Sequence, residues 1–170
     1  TITGGYYGIT MVGSTTNAVG NNKILGNTVK DFYLYGMYLY GNFNTQVELN
    51  RITRPTRATP TTFYGVYLTT LNTKVNINKN RIYTPFGGDP GTSASFYGVY
   101  LTASDALGGL ENVISNNAIY DIKSSGAIYG VYNSSSDNAW CYHNTISLDD
   151  LTTATTSSAY AFYQVTTAAG

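Results

Sequence analysis

Few residues in this sequence carry side chains that could do covalent or acid–base chemistry, and their spacing decides what that chemistry would be. Asp149-Asp150 is the only pair of adjacent carboxylates. Paired or clustered carboxylates are what glycosidic cleavage and Ca²⁺ binding call for. Consecutive strand residues point to opposite faces, however, so this pair reads as the solvated start of a loop. His143 is the single histidine. It has no Ser, Cys or carboxylate at a recurring position beside it, and reads as an exposed turn residue. Cys141 is the single cysteine. It falls in an otherwise Ile/Val column, which predicts a buried small hydrophobe and no nucleophile. Arg51, Arg54, Arg57 and Arg81 could form a basic patch, although separate solvated arginines are the plainer expectation. No metal-ligand spacing, phosphate loop or nucleophile elbow occurs. The sequence therefore assigns no catalytic residue, no metal site and no cofactor.

The surrounding chain must supply the context for these residues. Its 170 residues suit one domain, 1–170, with a real core. Nine basic and nine acidic residues cancel, so no overall field draws the chain to nucleic acid or to an anionic membrane. No apolar run approaches the roughly 20 residues of a membrane span. Charged residues are only 11% of the chain, and Tyr, Thr, Asn, Gly and Ser take their place. That mixture suits strands joined by tight turns.

A repeat then emerges. Phe-Tyr-Gly-Val-Tyr-Leu-Thr stands at 63–69 and again at 96–102. Tyr-Gly recurs at Tyr7, Tyr35, Tyr64, Tyr97 and Tyr129, with Tyr160-Ala161 as a sixth, degenerate copy. Three residues later every copy after the first has tyrosine: Tyr38, Tyr67, Tyr100, Tyr132 and Tyr163. Between these copies lies Asn-x-(Val/Ile), led by Asn27, Asn50, Asn80, Asn117 and Asn144. Three residues before each Asn sits Ile24, Val47, Ile77, Ile114 or Cys141. Helical periodicity is missing, and about 30 residues is too short for a propeller blade. About 30 residues does fit one solenoid coil of three short strands, with successive coils stacked in parallel at about 4.8 Å. Asn suits the left-handed backbone of a sharp turn, and stacked Asn amides could donate to one another's carbonyls.

Asn-x-Ile followed by (Phe/Leu/Ile)-Tyr-Gly-(Val/Met)-Tyr-Leu resembles the repeat of the pectin-lyase-like superfamily, over essentially the whole chain. The resemblance implies an all-β fold, a right-handed parallel β-helix of five to six coils. The Tyr-Gly strand would lie in the first sheet, with the strands before and after the Asn in the second and third. Lyases, hydrolases, adhesins and non-catalytic surface proteins of secreted bacterial type all share that fold, so it does not select a function. By analogy with the lyases, the face beside the first sheet becomes the default site.

Strict alternation along the Tyr-Gly strand places Val66, Val99, Val131, Leu68, Leu101 and the lead tyrosines Tyr64, Tyr97 and Tyr129 inside. Gly65, Gly98 and Gly130 would lie outside, beside Tyr38, Tyr67, Tyr100, Tyr132 and Tyr163. Such a Gly/Tyr stripe could be purely structural, or could hold a polysaccharide or a partner protein. Segments 54–62, 84–95 and 149–158 read as loops on that side, with Thr153 among their solvated residues. The function expected is that of a non-catalytic scaffold, adhesin or fibre subunit, extracellular or at the cell surface. Its partners would be flanking coils or copies of itself, stacked end to end. A lyase or glycoside hydrolase acting on acidic polysaccharide is the alternative. Thr1-Ile2 reads as the tail of an Asn-Thr-Ile motif, which suggests a longer solenoid.

Overall fold

The computed structural model describes residues 1–148 and 158–165. Three parallel sheets run the length of the molecule, and the described residues contain no helix. The first sheet holds Tyr7–Val12, Tyr35–Tyr40, Phe63–Thr69, Phe96–Thr102, Ile128–Asn133 and Ala159–Gln164. The second holds Lys23–Leu25, Gln46–Glu48, Asn76–Asn78, Asn112–Ser115 and Ala139–Tyr142. In the third lie Ile2–Thr3, Thr28–Lys30, Arg51–Thr53, Arg81–Tyr83, Ala118–Tyr120 and Thr145–Ile146. Each strand pairs with its equivalent in the next coil, so Tyr64 faces Tyr97, Ile77 faces Ile114 and Ile82 faces Ile119. The fold is a parallel β-helix, as the repeat predicts, of the right-handed kind that the resemblance implies.

Because the coils are in register, equivalent side chains stack and the core becomes a set of columns. Val47, Ile77 and Ile114 from the second sheet meet Val29, Ile52, Ile82 and Ile119 from the third, all at most 1% exposed. Met37, Val66, Val99 and Val131 close the triangle from the first sheet. Phe32, Phe63 and Phe96 fill the corner between third and first sheets, with ring centroids 5.0 and 5.2 Å apart.

The Asn-x-Ile corner departs from expectation in one respect. The left-handed residue is the one before each Asn: Gly26, Leu49, Lys79, Asn116 and His143, with φ between 55° and 65°. The Asn side chains turn inward and are held there, so the chain reversal falls on the preceding, outward residue. Asn50 Oδ1 accepts from the Asn27 N–H and Nδ2, and Asn80 Oδ1 accepts likewise from Asn50. Asn117 and Asn144 continue the series at 3.0 Å. Each Nδ2 of Asn50, Asn80, Asn117 and Asn144 also donates to the carbonyl of the second-sheet residue one coil below: Ile24, Val47, Ile77 and Ile114. Buried amides with both ends occupied carry little desolvation cost.

A second polar column lies at the turn after the first sheet, where sequence reasoning had none. Asn42 N–H donates to Asn72 Oδ1, Asn72 Nδ2 to Ser104 Oγ, and Ser104 N–H to Ser136 Oγ, all at 3.0 Å. These four side chains recur at spacings of 30, 32 and 32 residues. That spacing was the available signal; it was masked because the column mixes Asn with Ser.

Candidate functional site

The first sheet does not keep strict alternation. Gly65 and Val66 are both buried, as are Gly98 with Val99 and Gly130 with Val131. A methyl group on Gly65 would collide with the Gly98 carbonyl oxygen and press on the Ile82 side chain, so this glycine faces the core. Two successive inward residues break the alternation, and they do so at the same place in every coil, with one glycine between the same paired neighbours on each strand. This break puts Tyr64 and Tyr67, three apart in sequence, onto the same outer face.

Two corrections follow. The lead tyrosines Tyr64, Tyr97 and Tyr129 lie outside, and the glycines lie inside, because the two successive inward residues reset the two-residue period at every Tyr-Gly. The outer face therefore bears two rows of rings and no glycine floor. One row runs Tyr7, Tyr35, Tyr64, Tyr97, Tyr129 and Tyr160, with neighbouring centroids 4.9–5.5 Å apart. The other runs Tyr38, Tyr67, Tyr100, Tyr132 and Tyr163, at 4.8–5.6 Å. Within each row the rings stack; between rows they meet edge to face, as Tyr64 meets Tyr67 at 5.1 Å and 72°. Both arrangements suit the ring quadrupole.

Crowding changes the phenols. Desolvation first, and neighbouring tyrosines second, push Tyr35 up to about 12. Tyr64, Tyr67 and Tyr97 are raised for the same leading reason. These half-buried phenols hold their protons into the alkaline range, and the face offers flat rings edged with hydroxyls. Rings and hydroxyls of this kind offer stacking and hydrogen bonds to a neighbour; among the described residues no carboxylate stands in either row to move a proton.

The remaining candidates are scattered. Asp149-Asp150 and Thr153 lie outside the described residues. His143 is exposed, with its ring edge-on to Tyr142 at 5.3 Å. Cys141 does sit in register with Ile114, but it is exposed, because it is the last described member of its column. Desolvation holds its thiol above the ordinary range.

The arginines divide. Arg51 and Arg81 are exposed, as expected. Arg54 is fully buried, against expectation. Its Nε donates to Pro85 O, Nη1 to Tyr33 O and Nη2 to Thr61 O, at 2.6–2.9 Å. The guanidinium also lies 5.3 Å from the Phe63 ring and 5.0 Å from the Phe86 ring. Desolvation, helped by nearby Arg57, lowers its pKa to about 10. Arg57 is tied down as well, donating to Asp31 O and lying 4.8 Å from the Tyr33 ring.

Coils of three parallel strands with inward Asn and aliphatic columns define a β-helix protein of the pectin-lyase-like type. The chain matches, over residues 1–170, the family described as "Periplasmic copper-binding protein (NosD)", and it belongs to that family. No curated protein and no solved structure matches it. The copper in the family's description needs a set of soft donors, usually three or more His, Cys or Met side chains around the ion. Among the described residues no three His, Cys, Asp or Glu side chains come together. Met37 is fully buried in the core, and the Cys141 thiol is biased toward its protonated form. The described residues do not fit a resident copper centre. Among them, too, no helix is long and apolar enough to cross a membrane.

Proposed function

We propose that this chain is a non-catalytic structural module, acting as a scaffold, adhesin or fibre subunit outside the cytoplasmic membrane. Its working surface is the outer face of the first sheet, with Tyr38, Tyr67, Tyr100, Tyr132 and Tyr163 and the lead row beside them. The occupant favoured is a polysaccharide strand lying along the solenoid axis. The observation that carries this reading is the double row of outward phenols repeated from coil to coil. A sugar chain repeats along its length as the face does, and aromatic rings with hydroxyl edges suit its mixed apolar and polar surface. The family's periplasmic description supports the placement. End to end, the coils find their partners in flanking coils or in second copies of the chain.

Affinity electrophoresis against a panel of neutral and acidic polysaccharides tests the reading. Replacing Tyr67, Tyr100 and Tyr132 together by Ser should abolish retardation while the far-UV spectrum is kept. Retardation equal to that of the unaltered chain would remove the tyrosine face from the proposal. Release of unsaturated products or reducing ends from the same panel would show a lyase or hydrolase instead.

A further inference from the structure

A different corner of the molecule carries an unneutralised cluster of cations. Arg51 and Arg81 open successive strands of the third sheet and stand directly opposite one another in register. Neighbouring strands are only about 4.8 Å apart. Lys79 holds the left-handed position across the corner. Together with Leu49, Asn116 and Ala118, these three side chains line an open groove of about 440 Å³ floored by Asn50 and Asn80. The floor amides are already fully engaged within the asparagine column.

None of the three cations has a hydrogen-bonded or ion-paired side chain among the described residues, where the salt bridge is Lys123–Asp121. The nearest acidic residue along the chain, Glu48, is engaged elsewhere, accepting from Asn76 Nδ2 at 2.9 Å. Like charges directly opposite on a sheet destabilise it. The same rung position is Thr28, Ala118 and Thr145 in other coils, so the fold does not require arginine there. Three of only nine basic residues in the chain thus gather where they repel one another. A bound anion removes that repulsion. Arginine forks match carboxylate and sulfate oxygens bidentately, and the ammonium adds a point charge.

We propose that Arg51, Arg81 and Lys79 form an oxyanion site that takes a carboxylate or sulfate group. Its source is either a free inorganic anion or an acidic group carried on a polysaccharide. The site lies on the corner between the second and third sheets, apart from the tyrosine face, and stands or falls separately from it.

Calorimetric titration of the 170-residue chain with sodium sulfate and with oligogalacturonate tests the site. Both should bind. Arg51→Gln with Arg81→Gln should weaken binding at least about tenfold, the loss of one charge-assisted pair or more. Lys23→Gln with Lys74→Gln, which removes equal charge elsewhere, should leave it within about twofold. Sulfate should also raise the melting temperature of the unaltered chain more than that of the Arg51/Arg81 variant. Oligogalacturonate binding well above sulfate assigns the site to a polymer-borne carboxylate; equal affinities assign it to a free oxyanion. If neither probe binds, or the control variant loses as much as the Arg51/Arg81 variant, the proposal is overturned.

Discussion

Arg54 shows how far one side chain can govern its surroundings. Its three donating nitrogens reach carbonyls of Tyr33, Thr61 and Pro85, which belong to the corner segments of three successive coils. A buried cation whose nitrogens donate only to carbonyls is costly, and here planar geometry, two flanking aromatic rings and the charge of nearby Asp31 offset the cost. Lysine cannot reproduce the fork, since its ammonium is a single compact point. Arg54→Lys is therefore expected to destabilise the chain by about 2–4 kcal/mol, and Arg54→Met, which strips the Pro85, Tyr33 and Thr61 carbonyls of their donor, by at least as much. Urea midpoints at constant m-value measure both; a loss under about 0.5 kcal/mol for Arg54→Lys would show that the fork is dispensable. None of this was legible in the sequence. Loop segments carry no repeating column, so nothing in residues 54–62 marks Arg54 as different from Arg51 or Arg57.

At the scale of strands and columns, the sequence was far more informative, because each coil restates the last. Ile77, Ile114 and Ile119 were readable as core from their offsets to Asn and are at most 1% exposed. Each →Ala change should cost about 2–5 kcal/mol, against about 0.5 or less for exposed Thr15→Ala, read from thermal or urea unfolding. Near-equal stabilities would contradict the columns. What alternation could not reveal was the pair of inward residues at Gly-Val, because a two-residue period has no term for an extra inward residue. Gly98→Ala tests it: the added methyl would meet the Gly130 carbonyl oxygen and the Ile119 side chain. A cost of about 1–3 kcal/mol is expected, whereas a neutral result would return Gly98 to the outer face. The tyrosine rows add a pH prediction. Burial raises the folded pKa values of Tyr35, Tyr38, Tyr64, Tyr67, Tyr97, Tyr129 and Tyr132 above the ordinary 10, so the stability these seven contribute is complete below pH 10 and lost as pH climbs through their folded values, about 12 for Tyr35. Arg54, lowered to about 10, acts in the opposite sense, but as one group against several. Absorbance titration should show the ionisation of these seven phenols displaced above the ordinary pH 10 and coupled to alkaline unfolding. Titration of all tyrosines near pH 10 in a folded chain would contradict the crowding.

The whole molecule is a stack in which each coil touches only its neighbours, so its behaviour is set by how consecutive coils meet. Within the stack every inward side chain has a partner above and below. Cys141, Ile146 and Phe162 are the last described members of their columns, and with Tyr142, His143 and Asn144 they line an apolar hollow of about 300 Å³. At the opposite end Ile2 and Ile9 are half-buried against the core. Parallel strands at such a surface present unpaired backbone groups above apolar side chains, and another coil satisfies both needs at once. If copies of the chain stack end to end as proposed, the hollow is covered by the first coil of the next copy. Cys141 then becomes a built-in reporter, since its thiol is exposed in the single chain. Its reaction with an aromatic disulfide reagent should slow as protein concentration rises from micromolar toward millimolar, in step with a rising sedimentation coefficient. Phe162→Asp should abolish both trends by placing a charge in the contact. A thiol reaction rate and a sedimentation coefficient that both stay constant across that range would refute end-to-end stacking of the chain, because mass action leaves no way to hide an interface formed on Cys141.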